Sequence, residues 1–292
     1  MKNPRSLTVS SARLCSVHDF RDGLVRELDR WEGRSESGEP AWVVDVVPRT
    51  GSTNTDAVAE VRAGARQAYS VLIALDQVAG KGRLDRQWEA PAGSALFLSM
   101  VVPIVADSAH WGVMPLVAGL AVQRGLSALA RDYGAVSAPA RATLKWPNDV
   151  LLCGGGVDEP MKVCGVLLET VRDKAVIGVG VNVSQTKDRI VFPRATSLAL
   201  CGLGVSREQV AAAVLRQVGE LWPLLATQGG RDQALAEYRR SCDTIGRQVR
   251  VYLDQNTSVE GGVCDVADDG ELLVNVEGTA RRFASGDVYH LR

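Results

Sequence analysis

At Gly246 the spacing of apolar residues changes, and this change constrains the fold more than any other feature of the chain. After it come short apolar runs at 249–253, 259–263, 272–276 and 281–283, separated by the turn pairs Asp269-Gly270, Glu277-Gly278 and Ser285-Gly286. Short strands of this kind predict a small β-barrel. Before it, from Ala41 to Cys242, strand-like runs at 42–47, 70–75, 95–102, 143–146, 163–169 and 175–182 alternate with helical stretches at 54–63, 111–132, 207–225 and 231–242. That alternation predicts an α/β or α+β domain around one sheet. Ser206 with Gln209 forms a capping-box pair, and Val210, Val214, Val218, Leu221 and Leu225 then make one apolar stripe. Residues 111–129 are apolar nearly all round, so that helix belongs in the interior, with Pro115 in its first turns.

The chain therefore divides into three expected parts: an extension and linker at 1–40, a large domain at 41–242 and a small one at 243–292. The extension holds one expected helix at 19–31, with Phe20, Leu24, Leu28 and Trp31 on one stripe, and a polar linker at 32–40.

Charge narrows the function. The 33 basic and 34 acidic side chains nearly cancel, so no global field favours a polyanion or an anionic membrane. Residues 1–44 carry seven charges of each sign and have room for one helix rather than a helix-turn-helix, while 243–292 carry five basic and nine acidic residues. DNA binding is not expected. No apolar run is expected to span a bilayer, and residues 1–16 carry no secretion signal, which predicts a cytoplasmic protein without a membrane partner. Six cysteines without a CxxC pair, and three scattered histidines, predict buried free thiols and no zinc site. An edge strand able to pair looks like any other, so the sequence sets no oligomeric state.

Five segments carry chemistry. Gly80-Lys81-Gly82-Arg83-Leu84-Asp85-Arg86 packs three cations and two glycines between two expected strands. Glycines let backbone amides approach an anion, and cations offset the repulsion between a carboxylate and a triphosphate brought together. Composition alone also fits a solvated basic hairpin, and the segment is not a Walker A loop. Lys145-Trp146-Pro147-Asn148-Asp149 places an amide and an acid at a strand end, which suits either a ligand or magnesium, or ordinary turn chemistry. Lys162 stands where a Gly- and Pro-containing loop, 154–160, leads into an apolar run; it could neutralise a phosphate or simply guard a strand. Gly178-Val179-Gly180-Val181-Asn182 lacks the third glycine and following helix of a dinucleotide fingerprint. Gly51-Ser52-Thr53-Asn54 precedes a helix, where it caps the N-terminus and could also face a small polar headgroup.

Taken in order, these segments resemble the catalytic and C-terminal domains of biotin protein ligases over roughly residues 43–292, most of the chain. With so short an N-terminus, the resemblance is to the monofunctional class without a DNA-binding domain. It implies an α+β fold, with a mixed central sheet flanked by helices as in class II aminoacyl-tRNA synthetases, and a C-terminal SH3-like β-barrel. It implies a two-step reaction: biotin and MgATP give biotinyl-adenylate, and a lysine of a biotin carboxyl carrier domain then displaces AMP. It implies that Ser52, Thr53, Asn54, Gln77, Gly80, Lys81, Gly82, Arg83, Phe97, Ser99, Lys162 and Gly165 form the biotin site, with Leu98 also flanking the pocket. Arg83, Arg86, Trp88, Asn148, Asp149, Lys162 and Asn182 would meet ATP or the adenylate, with Trp88 near the adenine and Asp149 and Asn182 near magnesium. Lys162 and Arg83 would be the catalytic cations.

The loop departs from the family pattern Gly-Arg-Gly-Arg-x-Gly-Arg at two positions. Lys81 loses a bidentate fork, and Asp85 replaces a glycine, so a more loosely held intermediate is expected. The rivals are a lipoate-type acyl ligase of the same fold, which the basic loop disfavours, and a non-catalytic biotin or nucleotide sensor, which the retained Lys162 and Arg83 disfavour.

Overall fold

The computed structural model describes residues 16–32, 42–83, 86–105, 107–134, 140–253 and 257–291. Ser16 and Asp19 open the first helix, α1 (Val17–Glu32), by capping each other: Asp19 N donates to Ser16 Oγ at 3.1 Å and Ser16 N to Asp19 Oδ2 at 3.2 Å. Phe20 and Leu24 are fully buried, and the Arg207 guanidinium sits 5.4 Å from the Phe20 ring centre. Of the linker expected at 32–40, residue 32 still belongs to α1, while residues 33–40 and the side chain of Trp31 lie outside the described residues.

The large sheet is built from β1 (Val43–Val47), β2 (Ser70–Ala74), β5 (Ala95–Pro103), β6 (Arg141–Lys145), β7 (Asp149–Gly154), β8 (Val157–Val171) and β9 (Lys174–Asn182), in the order β1-β2-β5-β9-β8-β7-β6. Only β1 and β2 run parallel; every other pair is antiparallel. Between β2 and β5 the chain makes a short ribbon, β3 (Gly80–Lys81) with β4 (Gln87–Trp88).

Side chains alternate across the sheet, and the two faces do different work. One face presents Leu96, Leu98, Met100, Ile177, Val179, Val181, Cys164 and Val166 to the main core, which includes α3 (Val113–Tyr133), α4 (Arg207–Leu221) and α5 (Gln228–Ser241). The other face packs α2 (Thr53–Ala63) at one end, through Ala57, Val58, Val61, Val101, Val171 and Val176. Beyond α2 that face is open, and there it presents Phe97, Ser99, Gly165, Gly178, Gly180 and Asn182.

Several expectations change. Helix α3 is 21 residues long and apolar enough to cross a bilayer by length and composition, contrary to the expectation that no run was; 72% of its most apolar stretch is buried inside the fold, as in a core helix. Asn148-Asp149 is not a turn after a single strand but part of a hairpin whose second strand, β7, was not expected; Lys145 pairs with Asp149 across it. The expected loop at 154–160 is the tip of the next hairpin: Gly154, Gly155 and Gly156 take φ of +126°, +58° and +97°, and residues 158–160 already belong to β8. Polar residues there read as loop because the hairpin projects beyond the core. Helix α4 stops at Leu221 and passes into a 3₁₀ turn, Trp222–Ala226, at Pro223, which has no N–H to continue the ladder. Leu225 is still buried. Of the described cysteines, Cys164, Cys201 and Cys242 are buried, but Cys153 is half-buried and Cys264 exposed.

The C-terminal strands β10 (Gln248–Tyr252), β11 (Ser258–Val266), β12 (Leu272–Val276), β13 (Thr279–Phe283) and β14 (Asp287–His290) form one antiparallel sheet in the order β13-β12-β11-β10-β14. It closes over Val249, Val251, Val263, Leu272, Val274, Phe283 and Val288. This small sheet is tied to the β6–β7 turn. Trp146 N donates to Thr244 Oγ1 at 3.0 Å, Trp146 Nε1 to Gly270 O at 3.0 Å, and Asp243 N to Leu144 O at 2.7 Å.

Candidate active site

The open half of the sheet, the β3–β4 ribbon and β14 enclose a cavity of about 460 Å³. Its first wall is the N-terminus of α2. Ser52 is the cap, with φ −154° and its Oγ accepting from Thr55 N. Thr53 N donates to Gln77 Oε1 at 2.9 Å, and Ser99 Oγ lies 2.9 Å from Thr53 Oγ1 and 3.3 Å from Asn54 Oδ1. All five side chains are buried, so a polar pocket is held rigid by its own hydrogen bonds.

Glycines make the floor, and two close approaches explain them. A Cβ on Gly178 would stand 2.6 Å from Asn54 Oδ1, and one on Gly165 or Gly180 would stand 2.9 Å from the Trp88 ring. The Gly-x-Gly-x-Asn stretch is therefore a bed for Asn54 and Trp88. Asn182 ends it with both halves of its amide engaged: Nδ2 donates to Thr196 O at 3.0 Å and Oδ1 accepts from Gln185 at 2.9 Å.

The basic loop folds over this floor as the β3–β4 ribbon. Gly80 has no room for a side chain, because a Cβ would lie 2.5 Å from Gln77 Nε2. Gly82 N donates to Arg86 O at 2.7 Å and Arg86 N to Arg83 O at 3.2 Å, closing a tight turn. Leu84 and Asp85 lie outside the described residues. Each of the four charged or aromatic side chains described in the ribbon has its own anchor. Lys81 Nζ is 3.0 Å from Glu169 Oε1, and Arg83 Nη1 donates to Asn148 Oδ1 at 3.2 Å. Arg86 pairs with Asp287 on β14, and the Trp88 ring centre is 5.4 Å from Lys162 Nζ. Burial pulls the Arg83 guanidinium below its ordinary pKa, with Asp149 counteracting; a guanidinium stays charged regardless.

At the far end Lys162 Nζ is 2.6 Å from Asp149 Oδ1. Lys162 sits inside β8 rather than at the mouth of a loop, and its backbone is gripped from the other side, with Lys162 N donating to Arg194 O at 2.9 Å and Thr196 N to Lys162 O at 2.8 Å. Lys145, Arg194, Tyr289 and His290 line the same end. Burial lowers the Lys145 pKa, and Asp149 opposes that shift. His290 is pushed down to about 4, first by burial and then by Lys145 and Arg247. It keeps its imidazole 3.1 Å from Thr244 Oγ1. Beneath Lys162, burial holds the Cys164 thiol well above its ordinary pKa, so it is no nucleophile.

The structure thus brings the expected residues into one place, with adjustments. Ser52, Thr53, Asn54, Gln77, Lys81, Gly82, Arg83, Arg86, Trp88, Phe97, Asn148, Asp149, Lys162, Gly165 and Asn182 line the cavity. Gly80 and Ser99 stand behind that lining. Leu98 does not flank the pocket: alternation along β5 turns it into the main core. Trp88 covers the middle of the floor, over Gly165 and Gly180. Among the described residues no group of three or more His, Cys, Asp or Glu side chains could hold a metal ion. Lys145, Glu169, Arg194, Asp287, Tyr289 and His290 were not expected at the site. Lys145 and Glu169 carried a signal, as charges closing or breaking apolar strands; the β14 residues carried none.

Residues 46–184 match the model of the biotin/lipoate A/B protein ligase family, and residues 244–291 match the biotin protein ligase C-terminal domain. The chain is 39% identical over 277 residues to the biotin–[acetyl-CoA-carboxylase] ligase of Mycobacterium tuberculosis, covering 93% of this chain and 99% of that one. This chain belongs to the biotin protein ligase family. It is also 25% identical over 263 residues to the bifunctional ligase/repressor BirA of Escherichia coli, covering 88% of this chain and 75% of that protein. Two solved ligases share the fold. The Aquifex aeolicus biotin protein ligase in complex with biotin and ATP superposes with a TM-score of 0.68 at 23% identity, over 86% of this chain and 99% of that one. The Leishmania major ligase in complex with biotinyl-5-AMP gives 0.54 at 22% identity, over 84% of this chain and all of the other.

Proposed function

We infer that this biotin protein ligase family member activates biotin with MgATP and transfers it to a lysine of a biotin carboxyl carrier domain. One observation carries the reading: a single cavity joins a buried polar pocket at α2 and β5 to a cationic end at β7 and β6. The two ends are three strand spacings apart, roughly 14 Å. That span suits a polar bicyclic headgroup on a several-carbon acid chain, with the carboxylate delivered to the cations.

Each residue then has a task. Thr53, Asn54 and Gln77 offer hydroxyl and amide partners to the urea-like ring, and Ser52 sits at the cap beside them. Phe97, Trp88, Gly165 and Gly180 wall the acyl chain. The buried Trp88 Nε1 has no hydrogen-bond partner among the described residues, a donor that a substrate oxygen would satisfy. Lys162 and Arg83 stabilise the charge that builds on the carboxylate and α-phosphate oxygens as the carboxylate attacks phosphorus and pyrophosphate leaves. Arg86, Asn148 and Asn182 line the nucleotide side of the cavity. Magnesium arrives on the nucleotide; with Asp149 paired to Lys162 and Asp287 to Arg86, the donor set suits a cation that keeps its phosphate and water ligands. The ribbon then shields the mixed anhydride from water until the carrier amine attacks the acyl carbon and AMP departs.

A lipoate-type ligase would put a dithiolane ring, which donates no hydrogen bonds, against this polar pocket, leaving buried groups unmatched. The test is pyrophosphate exchange from labelled ATP with biotin or lipoate as the only acid. Exchange driven by biotin is expected. Exchange driven by lipoate alone, or by neither acid, overturns the reading.

A further inference from the structure

We propose that Glu169 is a positioning residue that locks the β3–β4 ribbon to the headgroup pocket, with Lys81 as the ribbon's anchor rather than a phosphate ligand. The inference rests on the reaction proposed above. Gly165, Leu167 and Glu169 alternate onto the cavity face of β8, so Glu169 leaves the sheet between α2 and the ribbon. One carboxylate oxygen accepts from Asn54 Nδ2, and the other lies 3.0 Å from Lys81 Nζ. Asn54 is fixed in turn, since Ser99 Oγ reaches both its Oδ1 and Thr53 Oγ1, and Thr53 N donates to Gln77.

These contacts close a ring. From Gln77 the chain runs three residues to Gly80 and Lys81, and from Lys81 the polar contacts return through Glu169, Asn54, Ser99 and Thr53 to Gln77. Anything seated against Thr53 and Asn54 restrains Asn54, hence Glu169, hence the ribbon. The geometry also explains why lysine serves at a position where the family pattern has arginine: Asn54 occupies one carboxylate oxygen, and a point charge needs only the other. A half-exposed pair of this kind adds little to global stability, so removing it spares the fold.

Glu169→Gln separates the two contacts, because an amide oxygen still accepts from Asn54 while the charge facing Lys81 is gone. The experiment measures biotin affinity by calorimetry and release of preformed biotinyl-adenylate by chase with unlabelled biotin. Glu169→Gln and Lys81→Met are each expected to speed adenylate release about fivefold. The double variant is expected to do no more than either single. Glu169→Ala is expected to weaken biotin binding as well. Unchanged release in the singles, or single effects that multiply in the double, overturns the proposal; Lys81→Met, at an exposed side chain, decides it even if Glu169 variants misfold. Wild type that forms no adenylate from biotin and MgATP instead overturns the proposed reaction.

Discussion

Asp149 and Lys162 face each other across β7 and β8 with 2.6 Å between carboxylate oxygen and ammonium nitrogen. The pair holds the ammonium over the cavity end, so in the proposed reaction Lys162 would need no reorientation when charge develops on the phosphate. Lys162→Ala is expected to lower the rate of adenylate formation by about 100-fold or more, the range seen when one preorganised electrostatic partner is removed. Biotin affinity should change far less. Stopped-flow pyrophosphate release with a parallel circular dichroism melt checks this; a folded variant with near wild-type turnover contradicts the assigned role.

The glycine floor makes a sharper steric claim. Gly178→Ala places a methyl group 2.6 Å from Asn54 Oδ1 and Gly180→Ala places one 2.9 Å from the Trp88 ring. Overpacking of this kind costs about 1–3 kcal/mol. Gly178→Ala should therefore raise KM for biotin while leaving KM for ATP nearly unchanged, and Gly180→Ala should alter the emission of Trp88. Equal biotin KM in wild type and Gly178→Ala means the pocket is not where the geometry puts it.

Arg86 and Asp287 join the ribbon to the C-terminal sheet. Asp287→Asn removes the charge that holds this strap, so faster adenylate release is expected. A melting temperature within a few degrees of wild type should accompany it, because exposed pairs add about 0.2–1 kcal/mol. Single-turnover release kinetics decide the matter, and an unaltered release rate excludes a strapping role for Asp287.

Much of this site was legible in the sequence because its residues lie in five compact segments. Glycines where backbone or aromatic groups approach, cations in a turn and a capped helix start each leave a local mark. What was not legible comes from distant chain segments meeting. Asp287, Tyr289 and His290 reach the cavity only because Trp146, Thr244 and Gly270 dock the small sheet against the β6–β7 turn. The start of β8 was hidden because Asp158 and Glu159 are exposed at the hairpin tip, where period-2 patterning fades; β7 was hidden because Val150, Leu151 and Leu152 are buried as one short continuous run without alternation.

His290 gives a pH signature. Its folded pKa of about 4 lies below the ordinary histidine value of 6.5, so between these limits the unfolded chain binds the proton and the folded chain does not. Burial opposes the added charge most, Lys145, Arg247 and Arg194 add to that, and Asp243 favours it. The His290 contribution is therefore absent as a penalty above pH 6.5 and grows as pH falls toward 4. Urea unfolding from pH 7 to pH 4 should show a steeper loss of stability in wild type than in His290→Asn; parallel curves contradict the shift.

The most direct test of the account is the intact mass of a biotin carboxyl carrier domain incubated with biotin, MgATP and this protein. One added biotinyl group is expected with wild type and none with Lys162→Ala, whereas an unmodified carrier with folded wild type, or full modification by Lys162→Ala, contradicts the proposed reaction.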